Sequence, residues 1–227
     1  MLGHDVQLGA GIELGGNIVI HSGTIVGDGC EIQDGAILGK SPRVSPRSSS
    51  RAHAHALHPL AIGSRSVVCA GAVVYAGVRI EDDVIVGDQA QVRELSSIGS
   101  GSVIGRATAL ENSVTVGARV RIQSNCYLAA NTVVEDDAFV GPGVVTTNDD
   151  TMARHGPDYE LRGARVGRAS RVGGGAVLTP GVVLGEEAFI AAGAVVCADV
   201  PARAVMMGVP ARHVRDIPPE DLLEMWR

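Results

Sequence analysis

Aromatic side chains are almost missing from this chain. Three tyrosines, two phenylalanines and one tryptophan make up 3% of its 227 residues, although 45% of the residues are hydrophobic. A core without rings must be narrow and built from Val, Ile, Leu and Ala. No stretch approaches the roughly 20 consecutive apolar residues of a spanning helix. Met1 to Ala10 lack the cationic segment and apolar run of a secretory leader, so the cytoplasm is the expected location. The net charge of −6 gives no overall basic field, which argues against nucleic acid or an anionic membrane as partner. Cys30, Cys69, Cys126 and Cys197 show no metal-ligand spacing and read as buried free thiols rather than disulfides. Glycine does not recur at every third position, so the 30 glycines do not make a collagen.

What the chain has is an aliphatic residue at every sixth position. Leu8, Leu14, Ile20, Val26, Ile32 and Leu38 form one run, with Ile12, Ile18, Thr24, Cys30 and Ala36 in a second, smaller slot four positions on. A second run extends unbroken from Ile62 to Val140, and a third from Val166 to Val196. Repetition of this length marks a solenoid, in which each repeat buries its aliphatic residue only by stacking on the next. Three hexads per coil predict a triangular prism of about nine coils, roughly 40 Å long at the spacing of parallel strands. Two segments break the period and are predicted as extruded loops: residues 40–60, rich in Ser, Pro, Arg and His, and residues 146–165. The β-solenoid domain is expected over residues 1–216. Residues 217–227 are expected to form a short terminal helix, with Pro218, Pro219, Glu220 and Asp221 at its amino end and its apolar residues over the last coil.

The repeat resembles the left-handed parallel β-helix of the hexapeptide-repeat acyltransferases, and the left hand is implied by that resemblance alone. Arg121–Asn125, Glu135–Pro142 and Thr146–Asp149 are similar to a segment of bacterial N-acetyltransferases that modify nucleotide-linked amino sugars. With Ala192–Val196 and Gly208–Arg212, the resemblance covers roughly residues 62–216. It implies acetyl-CoA as co-substrate, an amino-sugar acceptor and a homotrimer. It places an asparagine, here Asn125, beside the thioester and the acceptor amine. It sets Arg93 and Glu94 in a pair that holds the acceptor, and seats CoA at the terminal Gly-Val-Pro-Ala motif. Family members often carry Pro-Arg shortly after the asparagine that matches Asn148, where this chain has Met152-Ala153-Arg154-His155.

Physical chemistry supports these roles to different degrees. A solenoid edge of Ala192, Gly193, Gly208, Pro210 and Ala211 lets backbone groups approach a pantetheine arm, and Arg203 and Arg212 suit phosphate oxygens. His155, the one histidine of the second loop, suits a base for the released proton. Asn125 can orient an amine but cannot deprotonate it. Asn148 and Asp149 fit either acceptor contact or a simple turn start, and Arg154 lies beside them. Without an acceptor, Arg93 and Glu94 read as a surface ion pair of small energetic weight. His53, His55 and His58 raise a metal site, but three histidines in a Ser- and Arg-rich loop read better as solvated, and no metal is expected. Arg43, Arg47 and Arg51 of that loop would suit a diphosphate. The rival readings are O-acetyl transfer to a sugar, antibiotic or serine hydroxyl, a non-catalytic scaffold, and a metal-dependent hydratase.

Overall fold

The computed structural model describes residues 1–43, 57–156 and 158–226. The six-residue period becomes two-residue strands joined by tight turns, and successive strands fall on three faces in rotation. Face I runs from β1 (Gln7–Leu8) to β25 (Val183–Leu184) and holds nine strands. Face II starts at β2 (Glu13–Leu14), passes β26 (Phe189–Ile190) and has eleven. Face III extends from β3 (Val19–Ile20) to β27 (Val195–Val196) and has nine. Up to the hairpin that ends face II, pairing along each face is parallel, in a register of eighteen residues where no loop intervenes, as in Arg79↔Ser97 and Val103↔Arg121. The fold is thus an all-β parallel solenoid, three-sided as the sequence predicts.

Inward positions stack aliphatic on aliphatic. Ile98, Ile104, Leu110, Val116, Ile122 and Leu128 are each at most 2% exposed. Each such burial is worth about 1.5–3 kcal/mol, and its value depends on the coils above and below. The turns demand a left-handed backbone once per hexad, and many of these positions are not glycine: Arg65, Asp83, Arg119, Asn125 and Asp137 all have φ between 56° and 62°. Side chains of the next coil satisfy part of the turn backbone, Asp82 Oδ1 accepting from Ser64 N at 2.9 Å and Asp136 Oδ1 from Ala118 N at 2.9 Å.

Cys30 and Cys126 lie in the small inward slot as expected, and burial pushes both thiols up. Cys69 is half-buried, and Cys197 is exposed rather than buried because it sits on an outer corner. Thr146 fills an inward slot within β21 (Val145–Thr146), so the second loop begins one residue later than its sequence suggests. Its hydroxyl is compensated by donating toward or accepting from Thr132 at 3.1 Å and by accepting from Ala129 N at 2.8 Å.

The two ends depart from expectation. The carboxyl end is not one helix but two single 3₁₀ turns, Pro219–Asp221 and Leu223–Met225, separated by Leu222 in an extended conformation. They do not cover the last coil. The tail turns back across the outside of face II, where Leu223 N donates to Glu187 Oε1 at 2.7 Å and Glu224 pairs with Arg168 at 2.7 Å. A hairpin of β28 (Ala204–Met207) and β29 (Arg212–Asp216) extends face II beyond β26. At the amino end the inward residues Leu2, Leu8 and Leu14 are 61%, 38% and 51% exposed and border an open cavity of 430 Å³. Among the described residues no helix is long and apolar enough to cross a membrane.

Replacing Ile122 by Ala is expected to lower stability by about 2–5 kcal/mol in urea denaturation, and Leu14→Ala at the open end by about 1 kcal/mol or less. Equal losses at the two positions would contradict the stacked core.

Candidate active site

The sequence-predicted residues separate onto two corners of the prism. Asn125, Ala192 and Gly193 lie on the corner between faces II and III. Asn125 has φ 61°, and directly beyond it in successive coils stand Gly143, Gly175 and Gly193, each with φ 69°. Their amides link the coils: Gly143 N to Ser124 O, Gly175 N to Pro142 O and Gly193 N to Gly174 O, at 2.8–3.0 Å. A Cβ built on any of these three glycines would meet nothing within 4 Å. Three coils of bare backbone therefore run from Asn125 toward the carboxyl end. Gly208 and Ala211 close that edge, since Val195 N donates to Gly208 O at 3.1 Å and Ala211 N to Val195 O at 2.8 Å. Pro210 and Arg212 are exposed beside them, and the Arg212 guanidinium donates to Ala211 O. Arg203 does not join this group. It occupies the corner between faces I and II, where its amide binds Glu186 O and its carbonyl binds Ile217 N.

Arg93, Glu94, Asn148, Asp149, Arg154 and His155 all belong to the corner between faces III and I, and both loops leave the prism there. The Arg93–Glu94 pair is not a surface pair. Arg93 donates to both oxygens of Glu94 at 3.1 and 2.7 Å and to Glu111 at 2.8 Å; Glu94 is 1% exposed, Arg93 18% and Glu111 22%. Burial acts against the Arg93 charge, but the two carboxylates outweigh it and raise its pKa. Removing one partner would strand a buried charge, so this group has a structural role besides any contact with substrate. Tyr75 lies beneath Lys40 and Arg93 at 5.4 and 5.9 Å from its ring centre. The Tyr127 phenol, two coils on, is pushed up by burial and by the Glu111 charge. Glu111, Tyr75 and Tyr127 were not among the residues predicted; the eighteen-residue register through Arg93 is the signal that finds Tyr75 and Glu111.

The second loop is tied to the same corner. Asn148 Nδ2 donates to Ala130 O at 3.2 Å and Asn131 Nδ2 to Leu161 O at 3.0 Å. Asp149 organises the turn: its Oδ1 accepts from the amide and hydroxyl of Thr151, both at 2.7 Å, and its Oδ2 from Ala153 N at 2.6 Å. The turn role of Asp149 is therefore present, and Asn148 points its amide group at the coil before. His155 Nδ1 lies 2.9 Å from Gly156 O and carries the hydrogen of that bond, which leaves Nε2 as the basic atom, 3.5 Å from Asp149 Oδ2. A proton arriving at Nε2 meets a carboxylate. The Tyr159 ring stacks on the imidazole at 4.5 Å. Arg154 is exposed. His53, His55, Arg47 and Arg51 lie outside the described residues; His58 and Arg43 are exposed at the foot of the first loop.

Residues 163–198 match the family model described as the hexapeptide repeat of succinyl-transferase. The chain is 31% identical over 139 residues to the carnitine operon protein CaiE of Proteus sp., covering 57% of this chain and 62% of the relative. It is 30% identical over 117 residues to the galactoside O-acetyltransferase of Escherichia coli, covering 46% and 58%. The chain thus spans about three fifths of the length of these curated relatives. Among solved structures it is similar to a hexapeptide-repeat acetyltransferase of Vibrio cholerae complexed with acetyl coenzyme A, at 23% identity over 53% of this chain and 70% of that one, with a TM-score of 0.45.

Asp149 gives the loop a pH dependence. The Thr151 hydroxyl, against the opposing effect of burial and with the Ala153 and Thr151 amides and His155 adding to it, holds the carboxyl down to about 2. A folded value below the ordinary carboxylate's about 3.9 means that its stabilisation is full above that pH and is lost as pH falls toward 2. Hydrogen-exchange protection of the Thr151 and Ala153 amides is expected to hold steady above about pH 4 and to decline below it. In Asp149→Ala the protection should be low throughout; an unchanging wild-type profile would refute the role.

Proposed function

We propose that this chain is an acetyl-CoA-dependent acetyltransferase whose acceptor is an amine, on a nucleotide-linked amino sugar. The observation that carries the donor half is the open glycine edge ending at Asn125. A pantetheine arm carries amide groups along an extended chain, and a backbone edge without side chains offers it hydrogen bonds at close range over three coils. Ala192, Gly193, Gly208, Pro210 and Ala211 would hold the arm, and Arg212 stands where it would meet phosphate oxygens. Arg203, on another corner, would have to serve a neighbouring subunit's edge. Bound acetyl-CoA supplies a thioester carbon open to attack.

The chain's own residues then have distinct tasks. Asn125 would orient the acceptor amine, accepting one of its hydrogens through the side-chain oxygen and leaving the lone pair on nitrogen free. As the carbon–nitrogen bond forms and the carbon–sulfur bond breaks, the nitrogen sheds a proton. His155 Nε2 would take it, steadied by Asp149. Arg93, Glu94, Asn148 and Arg154 would line the acceptor's approach. The donor edge and the acceptor corner are separated by face III of one prism, so a shared site requires a neighbouring copy's loop against this copy's edge. That requirement favours a homotrimer, and the chemistry of its substrates favours the cytoplasm. Transfer to a hydroxyl is the second reading, and the similarity to a galactoside O-acetyltransferase supports it. A hydroxyl needs deprotonation during attack, so that reaction depends more steeply on His155.

The left-handed backbone at position 125 makes glycine, not alanine, the clean replacement. Asn125→Gly is expected to cut acetyl-CoA consumption with nucleotide-linked amino sugars at least about tenfold, a loss of about 1.4 kcal/mol of transition-state binding, while Tm stays near the parent's. Gly175→Asn, a side chain that accepts the left-handed backbone there, is expected to weaken CoA binding by a similar factor in calorimetric titration with Tm unchanged. His155→Ala separates the acceptors: modest loss supports the amine, near-complete loss the hydroxyl. No CoA binding by the parent protein at millimolar concentration would end the proposal.

A further inference from the structure

None of the six aromatic side chains belongs to the core. Tyr75, Tyr127 and Tyr159 gather at the corner between faces III and I, which the proposed acetyl transfer uses. Phe139, Phe189 and Trp226 lie elsewhere, on the outside of face II, which the proposed reaction leaves unemployed. Arg121, Phe139, Arg171 and Phe189 follow one another in register across four coils there, alternating guanidinium and ring. The tail crosses this ladder and leaves a cavity of 270 Å³, floored by Arg121, Phe139 and Arg171 and walled by Leu223 and Trp226.

The charges around this cavity are uneven. Arg119 and Arg168, on the corner beside it, each pair with a carboxylate, whereas Arg121 and Arg171, which line it, have no such partner among the described residues. Arg171 lies over the Phe189 ring at 5.4 Å, and its Nε is the one buried side-chain nitrogen or oxygen among the described residues without an acceptor. Three carboxylates also face the cavity. Asp137 is bound by Arg119 at 2.7 Å, and Glu187, 5% exposed, accepts from Leu223 N. The Asp221 carboxylate, on the tail, has neither a hydrogen-bond donor nor an ion-pair partner among the described residues. Two unpaired guanidiniums beside two rings favour a ligand that is flat and negatively charged, since a guanidinium both stacks on rings and binds oxyanions in a fork. The volume lies just below the range of drug-sized ligand sites, which starts at about 300 Å³, and so suits only a small ligand.

We propose that this cavity binds a small planar aromatic anion, one ring system bearing a single carboxylate or phosphate. The ring would lie against Phe139 and Trp226, and the anionic group toward Arg121 and Arg171. The site is independent of the donor edge and survives if the proposed acetyl transfer fails. Trp226 is the only tryptophan, so its fluorescence reports occupancy directly. The 227-residue chain is titrated with benzoate and with adenosine 5′-monophosphate, and separately with adenosine and with inorganic phosphate. A saturable change with either aromatic anion is expected, and which of the two gives it identifies the anionic group. Arg121→Gln should weaken that binding at least about tenfold, the loss of one charged hydrogen-bond pair. Asp221→Asn, an unpaired carboxylate on the outer tail, should tighten it by removing a repelling charge. The proposal fails if neither anion gives a saturable change up to about 10 mM, where even a site weaker than millimolar would fill. It fails equally if adenosine or phosphate alone reproduces the change, or if Asp221→Asn weakens binding.

Discussion

Aliphatic side chains stacked one per hexad, in register with the coil on either side, are the interaction on which every other feature depends. No coil can bury its own Val, Ile or Leu; each is sealed only by its neighbours, and the corner turns exist to return the chain to the same register eighteen residues later. This explains why the core admits no ring. A phenylalanine inside would push adjacent coils apart and break backbone bonds on all three faces. It also explains why polar inward residues occur only with partners, as Thr146 and Thr132 do.

The same register decides where chemistry can collect. Residues eighteen apart become vertical neighbours about 4.8 Å apart, so a corner becomes a column whose character is set by one position of the repeat. One column is bare backbone through Gly143, Gly175 and Gly193. Another carries aspartates and arginines from Arg65 to Arg168 that link successive turns. Both breaks in the period fall at the third, so the Arg93–Glu94–Glu111 cluster of the coils and the His155–Asp149 turn of the second loop share one corner, several coils apart.

Much of this was legible in the residues because the hexad period is a direct image of the packing. The three faces and the inward places of Cys30 and Cys126 follow from counting. What counting missed has physical causes. A short acidic sequence after two prolines suggests a helix, but Leu222 in an extended conformation splits it, and bonds from Glu187 and Arg168 draw the tail sideways onto face II. Thr146 hid an inward slot because a hydroxyl does not announce burial. Arg93 and Glu94, neighbours in sequence, looked solvated; the third partner that buries them, Glu111, lies a full coil away. Arg203 and Arg212 look equivalent along the chain, yet a hairpin sends them to different corners.

Asn125 shows where motif reading and structural reading cannot be separated by inspection. The turn demands a left-handed residue, and asparagine is among the few side chains that accept such angles at little cost. Its presence at φ 61° is therefore accounted for before any catalytic role is invoked. What the turn does not explain is the company it keeps. At the matching place of other coils on this corner stand Gln89 and Ala107, also left-handed, so the backbone does not dictate an amide. At the amino end of the same corner Asn17 is followed by only two glycines, Gly35 and Gly71, before Gln89 and Ala107 restore side chains. From Asn125 onward the corner is glycine for three successive coils and is closed at its far end by the hairpin at Gly208 and Ala211. That greater length and closed end, rather than the identity of any single residue, distinguish a place for a long, thin ligand from an ordinary run of turns.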